Sequence, residues 1–457
     1  MKKGDTAAGK VERMIFPNKG IVCAGDEKVF VADTLPGQSV SFRIQKKRKG
    51  RLEGFLLSVD ERSPLETQEP GCANFGLCGG CSYLGLSYED QLKLKKEQIR
   101  QLFAELIPGF DDIFEGIKSS DAHFAYRNKM EYSFGDAQKG GELTLGLHKK
   151  HSNYDILTAD GCRLVHDDLN RIVSCVLQYC REKELPYYHK NTHEGFLRHL
   201  LLRRTQTGEI LAAIVTTTQL PADLQGLAER IAELPLDGTV KGIVHMENDL
   251  PADTVQCRRM NILAGTPVIT EKLCGLYFRI SPFSFFQTNT KGAEVLYNTV
   301  KEYIGDIEDA VVYDLYSGTG TIAQILSAAA KKVYGIEIVE EAVLAARENA
   351  AVNGVTNCEF IAGDVLKELD NISEEPDFLI LDPPREGVNP RALHRIIKYG
   401  ASRIVYVSCK PTSLVRDLEA FLNAGYEVTR MACVDMFPMT VHVETIVLIT
   451  KNTKKML

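Results

Sequence analysis

Between residues 311 and 382 the chain repeats one unit: a short apolar run that ends on a small or acidic residue and leads into a helical stretch. Val311-Val312-Tyr313-Asp314-Leu315 meets the turn Ser317-Gly318-Thr319-Gly320-Thr321. Lys332 to Ile336 ends in Glu337, Cys358 to Ile361 leads to Gly363-Asp364, and Phe378 to Leu381 leads to Asp382. Strands alternating with helices after about Phe283 predict a doubly wound, mostly parallel sheet. Glycines directly after a strand let the backbone approach a ligand and point helix N–H groups into the crevice at the strand ends. This pattern excludes an all-helical or all-β C-terminal half.

At 457 residues the chain is too long for one core, so two or three domains are expected. Residues 10–60 carry short alternating strands, Val29–Ala32, Ser39–Ile44 and Gly54–Val59, with Pro36-Gly37 between them. They predict a small OB-like β-barrel, with a basic loop at 45–51 joining two strands and a boundary near Ser63-Pro64. The middle is mixed α+β. A helix is expected from Tyr88 onward with Leu92, Ile99, Leu102 and Phe103 on one face, and another at 167–182. Strands are expected at 129–134, 143–147, 198–204 and 209–216. The division drawn is 1–62, 63–280 and 281–457.

The net charge of −7, taken alone, argues mildly against a nucleic-acid partner. Residues 1–60 depart from it, with twelve Lys or Arg against seven Asp or Glu, a net of +5. Arg43 to Arg51 holds six basic residues and no acid. Such a patch suits a phosphate backbone, and it equally suits a solvated hairpin turn. No apolar run is long enough to span a bilayer and the first residues lack a signal-peptide core, so a cytoplasmic location is expected, with no membrane and no obligate protein partner.

Twelve cysteines are spread through the chain. Cys72, Cys78 and Cys81 stand at C-x5-C-x2-C spacing in a glycine-rich loop, and Cys162 follows in Asp160-Gly161-Cys162. Four thiolates can hold a tetrahedral zinc or an iron–sulfur cluster. Cys23, Cys175, Cys180, Cys257, Cys274, Cys358 and Cys433 read as packing residues. Cys409 differs from these. It follows the buried run Arg403–Val407 and sits at a turn, Ser408-Cys409-Lys410-Pro411, where a small apolar residue has little to pack against.

In the glycine turn, a dinucleotide site would want a third glycine where this chain has Ala323 one place late. The spacing of Gly318, Glu337, Asp364 and Asp382 at four successive strand ends resembles the S-adenosylmethionine-dependent methyltransferases. Asp382-Pro383-Pro384-Arg385-Glu386-Gly387 carries Arg385 where amino-group methyltransferases place an aromatic residue. Together with Ser408-Cys409-Lys410-Pro411 and Asp435 to Glu444, ending in His442-Val443-Glu444, it resembles the RNA 5-methyluridine methyltransferases, although that family's usual Ser-Cys-Asn-Pro is Ser-Cys-Lys-Pro here. Phe283-Ser284-Phe285-Phe286-Gln287-Thr288-Asn289 resembles the segment that opens the family's catalytic domain.

The resemblance implies a seven-stranded sheet whose last strand, Thr445–Ile449, is antiparallel. It implies Cys409 as the nucleophile that adds to uracil C6 and Glu444 as the base that removes the C5 proton, because C5 of uracil is too poor a nucleophile to be methylated directly. His442 is either catalytic or a structural hydrogen-bonding residue. A thiolate at Cys409 is expected from the turn's N–H groups and nearby positive charge. Gln287, Tyr316, Gly318, Thr321, Glu337, Asp364 and Asp382 are the implied cofactor residues, with Glu337 on the ribose hydroxyls and Asp364 on the adenine amino group. Phe285, Asp382 and Lys410 are the implied substrate residues. Residues 1–62 look like a TRAM RNA-binding module. Cys72, Cys78, Cys81 and Cys162 resemble the [4Fe-4S] site of the ribosomal members. The reading is a 23S ribosomal RNA uridine C5-methyltransferase. The alternatives are the same chemistry on transfer RNA, or a non-catalytic RNA-binding assembly factor.

Overall fold

A computed structural model describes residues 1–452 except 49, 253–256 and 306. Strands β1 (Thr6–Ile15), β2 (Lys19–Ala24), β3 (Glu27–Ala32), β4 (Ser39–Arg48) and β5 (Arg51–Glu61) close a barrel in the order β1-β2-β3-β5-β4. Alternation builds it: Val40, Phe42 and Ile44 point inward from β4 with Val11, Val22, Val29 and Val31, while Arg43 and Gln45 face water. The basic segment departs from the expected loop. Lys46, Lys47 and Arg48 continue β4 and pair with Glu53, Leu52 and Arg51, forming a two-stranded arm whose basic side chains are exposed. Lys49 lies outside the described residues.

Helix α1 (Tyr88–Phe103) starts at Ser87, whose hydroxyl accepts the Asp90 N–H at 3.1 Å. A short α2 (Phe110–Ile113) and strand β6 (Phe114–Lys118) follow. The middle of the chain is a seven-stranded sheet of β7 (Lys129–Asp136), β8 (Leu143–His148), β9 (Ile156–Thr158), β10 (Leu197–Arg204), β11 (Glu209–Thr216), β12 (Thr239–Glu247) and β13 (Arg259–Gly265), in the order β13-β12-β11-β10-β7-β8-β9. Helices α3 (Asp167–Glu182) and α4 (Gln225–Ala232) cover one face, where Leu169, Ile172, Val173 and Val176 share a core with Leu200, Leu202 and Ile214.

The hairpin β14 (Ile269–Leu273) and β15 (Leu276–Ile280) leads into the last domain. There α5 (Thr290–Ile304), β16 (Val311–Leu315), α6 (Thr321–Ser327), β17 (Lys332–Glu337), α7 (Glu340–Val352), β18 (Cys358–Ala362), α8 (Val365–Glu368), β19 (Phe378–Leu381), α9 (Pro390–Tyr399), β20 (Arg403–Ser408), α10 (Pro411–Asn423), β21 (Tyr426–Val434) and β22 (Glu444–Lys451) alternate. The sheet order is β18-β17-β16-β19-β20-β22-β21-β6, and β22 runs antiparallel to both its neighbours.

Two features depart from the sequence-based division. The sheet has eight strands, because β6 pairs in parallel with β21 through Met431↔Phe114 and Cys433↔Ile117. The core also crosses the break expected at 280. Ile99, Phe103, Ile107 and Phe110 are buried with Leu379, Ile404, Leu414 and Val447, and the β14–β15 hairpin gives Ile269, Leu273, Phe278 and Ile280 to the core on the other face. Burying one such side chain contributes roughly 1.5–3 kcal/mol. Periodicity announces the apolar face of a helix but does not say which sheet it covers.

Candidate active site

The ends of β16, β19 and β20 and the start of β22 meet on one edge of the sheet, because the first three run parallel and β22 returns against β20. The glycine turn after β16 is tight. The N–H groups of Tyr316 and Ser317 both donate to the Ile336 carbonyl, at 2.9 and 3.0 Å. Tyr316 has φ +69°, a left-handed conformation that a bulky residue adopts only under constraint. Gly320 has φ +70°, and a Cβ there would lie 2.4 Å from the Phe360 ring, so only glycine fits. At Gly318 (φ +54°) a Cβ would meet nothing within 4 Å, which leaves that side of the turn open.

Glu337, at the tip of β17, is preset by the backbone. One carboxylate oxygen accepts the Gly318 N–H at 3.0 Å and the other accepts the Val339 N–H at 2.9 Å. Asp364 caps α8 by accepting the Leu366 N–H at 2.7 Å. Thr321 is buried, and its hydroxyl stands 3.4 Å from that of Thr319. The Gln287 backbone carbonyl accepts from Asn128 Nδ2 at 2.9 Å. An acid noted in the sequence but given no role there, Asp314, stands behind the turn. Asp314 is fully buried and one oxygen accepts the Ala323 N–H at 3.0 Å. Its Oδ1 and the Ser317 hydroxyl have no partner among the described residues. Burial holds the Asp314 carboxyl well above the usual range, reinforced by Asp382. An acid inside an otherwise apolar strand was the available signal.

Cys409 and Glu444 are brought together by register. Ser408, the last residue of β20, pairs with Thr445 of β22. Cys409 just after β20 and Glu444 just before Thr445 therefore lie on the same side of that pair, and the Glu444 charge acts on the thiol. Asp382, directly after β19, completes the group. Burial pushes Asp382 up to about 7. It pushes Glu444 up to about 8, with the Asp382 charge adding to the effect and Arg385 opposing it. Cys409 is pushed up to about 11, by burial first and then by the Glu444 and Asp382 carboxylates, again against Arg385. The expected thiolate is thus corrected: two carboxylates and desolvation outweigh the turn's N–H groups, and the free protein holds a neutral thiol. His442 is brought down to about 4 by burial, then by Arg385, Lys95 and Arg127, so its imidazole is neutral.

Lys410 stands beside the site. Its ammonium pairs with Glu386 at 3.1 Å on the exposed rim. Phe285 is 69% exposed at the mouth of the crevice. Its loop is held from below by Arg203, which is buried and donates to the carbonyls of Pro282 and Ser284.

The four spaced cysteines converge in a cavity of their own, and Cys72, Cys81 and Cys162 pack with Phe437 and Met439 of the segment that leads into Glu444. Cys72, Cys78, Cys81 and Cys162 line one cavity of about 490 Å³ with Gly79, Gly80 and Arg163. Burial raises Cys81 to about 12, and the neighbouring thiols raise it further in the order Cys162, Cys78, Cys72. No three of the four sulfurs lie within 4.8 Å of one another. A tetrahedral zinc, with Zn–S bonds near 2.3 Å, would hold them roughly 3.8 Å apart.

Residues 87–452 match the family model for tRNA (uracil-5-)-methyltransferase. An uncharacterized RNA methyltransferase of Caldanaerobacter subterraneus is 46% identical over 454 residues, covering 99% of this chain and 100% of its own. Another, from Clostridium acetobutylicum, is 47% identical over 454 residues, covering 99% of each chain. The crystal structure of Pyrococcus abyssi tRNA (uracil-54, C5)-methyltransferase with S-adenosyl-L-homocysteine superposes with a TM-score of 0.75 at 24% identity, covering 97% of this chain and 100% of that one, and so shares the fold. Through the family model and relatives matched end to end, the chain belongs to the tRNA (uracil-5-)-methyltransferase family and is an S-adenosylmethionine-dependent RNA (uracil-5-)-methyltransferase.

Proposed function

We propose that the chain forms 5-methyluridine in 23S ribosomal RNA through a covalent adduct between Cys409 and uracil C6. The observation that carries the chemistry is the register that sets Cys409 beside Glu444, with Asp382 at the neighbouring strand end. The Cys409 proton must leave first, and Asp382, held near neutrality, is the acceptor. The Sγ–C6 bond then forms, and the electron pair of the C5–C6 double bond moves to C5 and O4, where protonated Asp382 can donate a hydrogen bond. S-adenosylmethionine supplies an electrophilic methyl group to C5. Glu444 in its ionised form takes the C5 proton and afterwards gives it up to solvent, the C5–C6 double bond re-forms, and Cys409 leaves as a thiolate that recovers its proton from Asp382. A uridine inside a helix has to be flipped out to reach this edge.

The crevice fits the cofactor. The open side of Gly318 admits a ligand against the backbone, and the unpartnered oxygens of Asp314 and Ser317 give it polar groups to satisfy. Glu337 would take the ribose hydroxyls and Asp364 the adenine amino group, with Gln287, Tyr316, Thr321 and Asp382 lining the pocket. Phe285 would stack on the target base, and Lys410 would contact a phosphate after leaving Glu386.

Cys72, Cys78, Cys81 and Cys162 would hold a [4Fe-4S] cluster. The reading rests on the resemblance of the loop to the iron–sulfur site of the ribosomal members, and the four thiols line one cavity. Uracil methylation exchanges no net electrons, so the cluster would be structural or RNA-orienting. The barrel, with its basic arm, would bind RNA through phosphates.

Ribosomal RNA is favoured by the resemblance of the four-cysteine loop to that of the ribosomal enzymes. Transfer RNA is the second reading, favoured by the end-to-end match to the archaeal enzyme that acts on tRNA. Mapping 5-methyluridine in both RNAs from a strain lacking the protein decides between them. Loss from 23S ribosomal RNA alone is expected, and loss from transfer RNA alone would overturn the substrate assignment.

A further inference from the structure

Glu444 opens β22 and pairs with Val434, the last residue of β21. The connection between them, 435–443, is gripped along its length by residues far away in sequence. Asp435 is fully buried, and its Oδ1 lies 2.7 Å from Nζ of Lys95, itself 1% exposed. Lys95 also donates to the Phe437 carbonyl at 3.3 Å. One turn earlier on α1, Gln91 accepts the Met439 N–H at 3.0 Å through Oε1, while its Nε2 donates to the carbonyls of Tyr83 and Leu86. The Met439 carbonyl accepts the N–H groups of Ser82 and Tyr83, at 2.9 and 3.1 Å, and Met439 itself is held at φ +67°. Tyr126 and Asn289 donate to the carbonyls of Pro438 and Met436 at 3.0 and 2.9 Å.

A lysine and an aspartate buried together are a poor means of stabilising a helix against a sheet. Apolar residues of similar volume usually do as well or better, whereas removing one partner leaves an uncompensated charge. What the pair adds is position: it fixes Asp435 next to the residue that faces Glu444. We infer that Lys95 and Gln91 are positioning residues of the reaction, through which helix α1 holds 435–443 so that Glu444 meets the proton on uracil C5. The inference rests on the proposed role of Glu444.

Its consequence is specific to one step. Thiol addition uses Cys409 and Asp382, and methyl transfer uses the cofactor crevice. Only release of the RNA needs the Glu444 carboxylate in place. Loosening 435–443 should therefore slow release more than adduct formation, whereas general loss of folding slows every step and accumulates nothing.

The experiment uses the full chain with labelled S-adenosylmethionine and total RNA from a strain lacking the enzyme. It follows methyl transfer in a single turnover and the protein–RNA covalent species on denaturing gels. Lys95→Met should slow release by roughly 10–100-fold, the scale of an ångström-level misplacement, with a severalfold rise in the covalent fraction. S-adenosylmethionine affinity should change by less than about threefold, because the cofactor crevice is untouched. Pairing Lys95→Met with Asp435→Asn removes both charges and should restore release to within several-fold of the parent. If Lys95→Met does not fold, Gln91→Met, which leaves no unpaired charge, carries the test with a smaller rise of the same kind. Turnover that falls in the Lys95 or Gln91 variants with no rise in the covalent fraction overturns the positioning role, as does unchanged turnover in both. Glu444→Gln serves as the reference. Accumulation there but in neither α1 variant rejects the positioning role alone, and no accumulation there rejects Glu444 as the base.

Discussion

Replacing the Glu444 carboxyl by an amide should stop turnover and at the same time make the protein more stable, by an amount that grows as pH rises from about 4.5 to about 8. The residue is 4% exposed and its carboxyl is held up to about 8 against an ordinary 4.5, by burial first and by the Asp382 charge second. A raised value means that the folded protein binds this proton more tightly than the unfolded chain does. The stability contributed by the neutral acid is complete below about pH 4.5 and is lost as pH rises through about 8. At about 1.4 kcal/mol per pH unit, the ionised carboxylate costs the fold up to roughly 5 kcal/mol at alkaline pH. Glutamine has nearly the same shape and no charge, though its amide still has to find hydrogen-bond partners. Glu444→Gln should therefore gain about 2–4 kcal/mol near pH 9 and almost nothing near pH 4.5. The chain has no tryptophan, so urea unfolding is followed by circular dichroism at the two pH values. A stability difference that is the same at both pH values, or that turns against the glutamine variant as pH rises, would refute the reasoning.

Cys409→Ala should abolish methylation and every trace of covalent RNA while S-adenosylmethionine binding, measured by calorimetry, stays within about threefold of the parent. Neutralising Lys46, Lys47, Arg48 and Arg51 on the barrel arm should weaken RNA binding and flatten its salt dependence by roughly 0.7–0.9 log units of slope per lost phosphate contact. Turnover of saturating RNA should change much less, and an unchanged slope would mean that the arm is only a solvated hairpin. Protein purified without oxygen should be brown, with about four irons per chain. Cys78→Ser or Cys162→Ser should bleach it and destabilise the central sheet. Colourless protein with one bound zinc would reject the cluster but keep the four-cysteine site.

The residues proposed for the catalytic edge could be picked out before any coordinates, because their signals are local. Each acid follows a run of strand-forming residues, and Cys409 interrupts such a run at a turn. The spacing of Cys72, Cys78, Cys81 and Cys162 likewise singled out the four thiols that meet in one cavity. What escaped the sequence depends on partners far apart along the chain. Lys95 and Asp435 are 340 residues apart, and nothing near either shows that α1 lies against the sheet that carries Glu444. Strand β6 is five residues long and only its edge pairing with β21 defines it. The state of Cys409 was misread for a related reason. Turn N–H groups and cations are visible in sequence, but the burial and two carboxylates that keep it a thiol appear only when three strand ends meet. Likewise Arg385 stood in a recognisable loop, and its action on Cys409, Glu444 and His442 emerged from geometry.

The central claim is that Cys409 becomes bonded to uracil C6 and that a proton must then be lost from C5. Substrate RNA carrying 5-fluorouridine tests it most directly, because fluorine replaces the proton that Glu444 has to remove. The unaltered enzyme, supplied with labelled S-adenosylmethionine, should stop as a protein–RNA species stable to denaturation, with one methyl group per adduct. After digestion, the RNA should be found on the peptide that contains Cys409. Methylated RNA released with no covalent species, or RNA found on a peptide without Cys409, would contradict the account.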